Sequence, residues 1–314
     1  MIKKILITGS SGMIGTALCG RLIKEDIDFI GLDKAKNKWN LETDARTVMF
    51  DLTNRNIDDL ASKLKTQSID MIIHLAANAR VWELVKDTTL AIDNIEMTNN
   101  VYRLADKLGI KKIIIASSRE VYGDSLKKDN SLKETEASHL NAANQYSAGK
   151  LCTESLASAY KITHDINTIV VRFSNVYGKY DSSDRFIPLM IKNMLKGKDV
   201  IIYGGRDKKM DFTYIDDTIE GLLIVIDSFE IMKNIKMNVL NISTGKSVSL
   251  FSVAEKIKKN LNKKIKISLS ENRPGEPMYY TANIERISSF GYSPKFDINK
   301  GLNESIKYYK KIYK

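Results

Sequence analysis

Lys4-Ile5-Leu6-Ile7-Thr8 runs directly into Gly9-Ser10-Ser11-Gly12-Met13-Ile14-Gly15, and this stretch decides the fold. The first five residues are nearly continuous in apolarity, as a strand buried on both faces is. From Met13 to Lys24 the apolar residues recur with a helical period. Between strand and helix the glycines are spaced G-x-x-G-x-x-G. Gly9 permits a tight turn, Gly12 lets backbone approach a pyrophosphate, and Gly15 lets the helix pack close to the strand. The helix N-terminus adds unpaired N–H donors and a positive dipole end. The strand–turn–helix context favours a dinucleotide loop, with Ser11, Met13 and Ile14 as further contacts, over an ordinary glycine turn.

Outward from this loop, strand and helix keep alternating. Strands are expected at Lys4–Thr8, Phe29–Asp33, Thr47–Phe50, Met71–Leu75, Ile113–Ser117 and Thr168–Arg172. Helices are expected at Met13–Lys24, Ile57–Lys65, Thr88–Leu108 and Ala143–Lys161. This order specifies an α/β fold, a Rossmann-type doubly wound parallel sheet. After Arg172 the rhythm changes, with helices expected at Arg185–Lys196, Asp216–Phe229, Leu250–Asn260 and Lys300–Tyr313. Residues 1–172 are therefore expected to bind the dinucleotide, and residues 173–314 to form a smaller C-terminal α/β substrate lobe, with some segments crossing between them.

Composition narrows the partner. Of 314 residues, 43% are hydrophobic and 28% charged, which permits a sizeable core and argues against disorder. The net charge is +11, which points to an anionic partner: nucleic acid, a membrane surface or a phosphorylated metabolite. Residues 1–172 are nearly balanced, with 24 basic against 22 acidic residues, while residues 173–314 hold 25 against 16. The excess thus lies in the substrate half. The densest run, 256–264, carries no aromatic and reads as a solvated helix end, not a nucleic-acid surface. No stretch approaches the roughly 20 apolar residues that span a bilayer, and no signal peptide is evident. Cys19 and Cys152 offer neither a disulfide framework nor a metal cluster. A cytoplasmic protein without a metal is expected.

Strand two ends in Gly31-Leu32-Asp33. A carboxylate there accepts from both ribose hydroxyls and repels a 2′-phosphate, which favours NAD over NADP. Lys34 and Lys36 beside it are suited to the phosphorylated form. Asp51-Leu52, after strand three, falls where the adenine edge would be met.

Strand five ends Ile115-Ala116-Ser117-Ser118-Arg119-Glu120-Val121-Tyr122-Gly123, and Tyr146-Ser147-Ala148-Gly149-Lys150 follows on a helix. Tyr146 and Lys150, at i and i+4, share one face. A free tyrosine, with a pKa of about 10, is a poor base at neutral pH. An ammonium one turn away and an oxidised nicotinamide nearby favour its phenolate. Such a group takes a hydroxyl proton as hydride leaves the same carbon, and Ser118 is placed to orient that hydroxyl.

With TGSSGMIG at 8–15, HLAA at 74–77, SSREVYG at 117–123, YSAGK at 146–150, RFSNVYG at 172–178, DFTYIDD at 211–217 and RPGEP at 273–277, the chain resembles the extended short-chain dehydrogenase/reductase family, in its NAD-dependent nucleotide-sugar epimerase/dehydratase branch. The segments span nearly the whole chain in family order. The resemblance implies that Ser118, Tyr146 and Lys150 form a catalytic triad and that Lys150 also holds the nicotinamide ribose. It implies that Leu75, Ala76 and Ala77 line the cofactor, that Asn94 shapes the site behind Ser118, and that Tyr177 lies beside the nicotinamide. It places Asn175 and Arg273 at the substrate diphosphate. Arg80, Arg185 and Arg206 are further candidate substrate neighbours.

Two departures stand out. Where relatives carry an arginine before the D-F-x-Y segment, this chain has Met210, and Arg206, Lys208 or Lys209 would have to substitute. Where the dehydratases that the chain resembles carry Thr-Asp-Glu, it has Ser118-Arg119-Glu120. A guanidinium does not deliver a proton. Glu120 remains as a base or as a structural carboxylate. The expected activity is a nucleotide-sugar 4-epimerase of the UDP-hexose type, acting through a 4-keto sugar. The alternatives are a 4,6-dehydratase, a uronate decarboxylase, or a catalytically silent dinucleotide sensor. A homodimer paired through the helices Thr88–Leu108 and Ala143–Lys161 is implied by resemblance.

Overall fold

The structure, a computed structural model, describes residues 4–123, 131–234 and 238–313. Its strands are β1 (Lys4–Thr8), β2 (Asp28–Asp33), β3 (Thr47–Met49), β4 (Met71–His74), β5 (Lys112–Ser118), β6 (Asn167–Phe173), β7 (Asn175–Tyr177), β8 (Val200–Tyr203), β9 (Lys209–Tyr214), β10 (Val239–Ile242), β11 (Ser247–Ser249), β12 (Ile267–Ser270) and β13 (Tyr279–Tyr280). The longer helices are α1 (Met13–Lys24), α2 (Thr89–Leu108), α3 (Gln145–His164), α4 (Phe186–Leu195), α5 (Ile215–Asp227), α6 (Leu250–Leu261) and α7 (Ile298–Ile312). The expected elements lie within a few residues of these, and the expected helix Ile57–Lys65 is present as Asp58–Leu64. The short helices Leu41–Ala45, Val81–Lys86 and Glu285–Ser288 span too little chain for a period to show.

A seven-stranded sheet runs β10-β6-β5-β4-β1-β2-β3, and every pairing in it is parallel. Its strands are apolar on both faces because both faces are covered. Ile5, Ile7, Ile73 and Ile114 join one buried cluster, while Leu6, Ile72, Ile113 and Ile115 join the other. That is the period-two alternation of a strand with a core on each side. Thr8 pairs with Leu32 on one side and His74 on the other, so three strands end level. The strand order reverses between β1 and β4, which opens a crevice beyond their carboxyl ends.

The chain after residue 172 is woven into this sheet. β10 pairs with β6, α5 packs against α1, and one continuous cluster joins β1 and α1 to α4, α5 and α6. These are crossings between lobes on a larger scale than the change in rhythm conveyed. The remaining strands form a small sheet around β9, which pairs with β7, β11 and β13, and a β8–β12 pair. Among the described residues, no helix is long and apolar enough to cross a membrane.

Candidate active site

The glycine loop meets the requirements of a dinucleotide. Gly9 sits at φ +72°, and a Cβ there would fall 2.7 Å from Ala76 N. A Cβ on Gly15 would fall on Gly9 O, so Gly15 serves closure of the loop on itself. Gly12 is exposed, and a Cβ on it would meet only Gly9 O at 3.2 Å. Gly12 caps α1 with no side-chain hydrogen bond and no acidic residue in the first turn. The helix start, at Met13 and Ile14, is thus open to an anion. Asp33 closes the other side: Oδ2 accepts from Ser11 N at 2.9 Å and Oδ1 from Ala35 N at 2.9 Å. These residues fit NAD. Asp51 accepts from Thr53 N and Oγ1, which holds its carboxyl below the usual range. Leu52 is buried, and its carbonyl accepts from Asn100 Nδ2 at 2.9 Å.

A directed relay supports the segment after β4. Thr98 Oγ1 donates to Asn94 O at 2.9 Å, so it accepts from His74 Nε2 at 3.1 Å. His74 Nδ1 then accepts from Thr8 Oγ1 at 2.7 Å, which in turn accepts from Ala76 N at 3.3 Å. Burial pushes the imidazole down to about 3 and keeps it neutral. Asn94 binds the backbone of Asn78 through Oδ1 at 2.7 Å and Nδ2 at 2.9 Å. Leu75, Ala76 and Ala77 are thereby held, half-buried, above the crevice.

The triad residues come together at the ends of β5 and α3. Asn144 caps α3, accepting from Ser147 N at 2.9 Å, while Ser147 Oγ accepts from Asn144 N at 3.1 Å. This reciprocal cap, worth about 1 kcal/mol, fixes the turn that carries Tyr146. The Ser118 hydroxyl accepts from Glu120 N at 3.2 Å and hydrogen-bonds the Tyr146 phenol. Lys150 Nζ donates to Ala116 O at 2.7 Å and lies 5.8 Å from the Tyr146 ring centre. Burial and the nearby Glu120 push Tyr146 up to about 12, while burial pulls Lys150 down to about 8. With its pKa raised, the Tyr146 phenol keeps its proton at neutral pH until a further positive charge is placed beside it.

Glu120 is buried and committed. Oε1 pairs with Arg119 at 2.7 Å, and Oε2 accepts from Asn144 Nδ2 at 3.4 Å. Asn175 accepts from Arg119 Nε at 3.0 Å and donates to Asp211 O at 2.9 Å. Arg185 lies close enough to bias Tyr146. Arg273 stacks on Tyr203 at 4.0 Å, with Trp82 6.0 Å away across the cleft. Arg80 is paired with Glu83 on the surface, and Arg206 is exposed and stacked on Phe251. Tyr177, expected beside the nicotinamide, is almost fully buried. It is a core ring packed edge-on to Phe212 and Tyr214, with its hydroxyl against Gly301. Met210 is buried in β9, and Lys208 is buried with Glu276 at 2.7 Å.

The sequence reading missed Glu154. Its Oε1 accepts from Ser117 Oγ at 2.5 Å and Arg172 Nε at 2.9 Å, and Oε2 pairs with Arg172 at 2.7 Å. It raises the Lys150 pKa against burial. Its spacing, i+4 from Lys150, was the available signal.

The comparisons agree with this geometry. Residues 5–242 match the NAD dependent epimerase/dehydratase family. An uncharacterised protein of Methanocaldococcus jannaschii is 32% identical over 96% of this chain and 94% of its own. A putative UDP-glucose 4-epimerase of the same organism is 28% identical over 98% of both. The structure of a UDP-glucuronic acid 4-epimerase from Bacillus cereus, in complex with UDP-glucuronic acid and NAD, is similar with a TM-score of 0.86. It is 28% identical, covering 99% of this chain and 100% of that one.

Proposed function

The chain belongs to the NAD dependent epimerase/dehydratase family, and on that premise we propose that it is a nucleotide-sugar 4-epimerase acting through a 4-keto intermediate on a UDP-linked six-carbon sugar. NAD, when bound, supplies the acceptor that takes the C4 hydrogen as hydride and returns it. Tyr146 takes the 4-hydroxyl proton and gives it back, Ser118 orients that hydroxyl, and Lys150 supports the phenolate. Residues 1–172 hold the cofactor and residues 173–314 the nucleotide sugar. Asp33 and the residues of the glycine loop bind the dinucleotide, and Arg273 meets the diphosphate.

The observation that carries epimerisation over elimination is the engagement of Glu120. Loss of water needs a free base at C5 and an acid at C6. Both Glu120 oxygens have partners, and its neighbour is a guanidinium, which cannot give up a proton in range. Epimerisation needs neither group. The reading includes a cytoplasmic homodimer paired through α2 and α3. Free cysteines, and Ile92 and Ile162 standing exposed on those helices, support it. The test is a product screen with UDP-, GDP-, CDP- and dTDP-sugars. Inversion at C4 with unchanged mass is expected; loss of water or carbon dioxide contradicts the reading.

A further inference from the structure

Arg119 stands directly after Ser118, yet neither dinucleotide binding nor proton transfer uses it. Its guanidinium is clamped through two nitrogens, by Asn175 at Nε and by Glu120 at Nη2. Asn175 is fixed in turn by Asp211 O. The guanidinium carbon lies 5.6 Å from the Tyr280 ring centre. The third nitrogen, Nη1, is buried and has no hydrogen-bond partner among the described residues. Leaving buried charged donors unmet is costly, so a group held this firmly is suited to a ligand that supplies the acceptor.

The charged groups around it are already paired. Tyr146 is biased by two guanidiniums, Arg119 and Arg185, against one carboxylate, Glu120. Arg185 has only a loose partner, Asp181 at 3.7 Å. Lys208, already paired with Glu276, also lies within electrostatic range of Arg119. Arg119, Arg185 and Lys208 are thus each paired with a carboxylate, Glu120, Asp181 and Glu276, and what stays unmet beside Ser118 is the Nη1 donor of Arg119.

We propose that Arg119 is the specificity-determining residue of a carboxylate subsite. Nη1 receives a carboxylate borne by the sugar carbon next to the one oxidised, and the preferred substrate is a nucleotide hexuronate, not a nucleotide hexose. A carboxylate accepts from an N–H of Nη1 as a charge-assisted hydrogen bond. A hydroxymethyl group is neutral and offers Nη1 only a weaker, uncharged acceptor. Asn175 is a positioning residue in this arrangement, aiming Arg119 through Nε. The proposal rests on the 4-epimerase reading and adds the substrate's charge to it.

The test measures kcat/KM for UDP-glucuronate and UDP-glucose with the NAD-loaded enzyme and with Arg119→Gln. The wild type is expected to favour UDP-glucuronate by about a hundredfold, within the range that removing one partner of a buried charge pair costs. Arg119→Gln is expected to shrink that ratio by roughly 30-fold, the effect of removing one partner of a desolvated charge pair. Because the single change strands the Glu120 charge, the paired variant Arg119→Gln/Glu120→Gln is measured alongside it, and the ratio falls there too. Equal or better efficiency with UDP-glucose overturns the carboxylate subsite and leaves the epimerase reading standing. A ratio that survives in the paired variant also overturns it. Turnover of neither substrate sinks the epimerase reading and the proposal with it.

Discussion

Glu154→Gln separates structural support from catalytic tuning in a single position. Glu154 holds Arg172 through both oxygens and also accepts from Ser117. Without its charge, the buried guanidinium keeps Tyr122 Oη at 3.2 Å, Glu134 O at 2.8 Å and one neutral amide oxygen, and loses its anionic partner. Breaking a buried pair by neutralising one partner costs about 3–5 kcal/mol. For a chain of this length that lowers the melting temperature by roughly 5–8 °C. The second effect is on Lys150. Its ammonium faces the neutral His74, the Tyr146 ring and Glu154, and Glu154 is the charge that keeps it protonated against burial. Its pKa is depressed to about 8, so the charge is lost as pH rises through that value, and sooner without Glu154. The alkaline limb of kcat is expected to move down by roughly one pH unit. Melting curves and a kcat–pH profile at saturating cofactor read the two effects. Replacing the pair by Glu154→Leu with Arg172→Met is expected to recover most of the stability, because no buried charge is stranded, but not the alkaline limb. An unchanged limb in both variants refutes the link from Glu154 to Lys150.

Tyr146→Phe is expected to lower turnover by roughly 10³-fold while the purified protein keeps its NAD content; normal turnover contradicts the assignment of the base. Gly12→Ala is expected to fold, since its Cβ meets only Gly9 O at 3.2 Å, and to lose cofactor affinity in a fluorescence titration. Gly15→Ala is expected to lose stability as well, because its Cβ overlaps Gly9 O; equal melting temperatures for the two refute their different roles. Met210→Arg places a guanidinium in the packed side of β9 and is expected to cost about 3 kcal/mol or more. A gain in UDP-sugar affinity there contradicts the view that this position serves the core.

The sheet was legible because buried parallel strands carry a strong local signature. The glycine spacing then located the crevice before any distance was known. Tyr146 and Lys150 were legible for a similar reason, since helical spacing puts i and i+4 on one face. What was not legible depends on long-range packing. The Arg172–Glu154 pair joins residues from β6 and α3, and only the structure showed that it also braces Ser117. Tyr177 lies in a motif that resembles a cofactor contact, yet α7 brings Gly301 against its hydroxyl and takes it into the core. The return of β10 to the sheet edge is likewise a long crossover that no local pattern announces. Arg119 was visible as a departure, but its clamp by Asn175 and its free nitrogen were not.

The central claim is that the C4 hydrogen leaves the sugar and returns to the same carbon on its other face. The most direct measurement uses a UDP-sugar carrying deuterium at C4, with products read by NMR and mass. A C4 epimer of unchanged mass with deuterium retained at C4 is expected. Washout of that deuterium to solvent, or a product that has lost water or carbon dioxide, contradicts it.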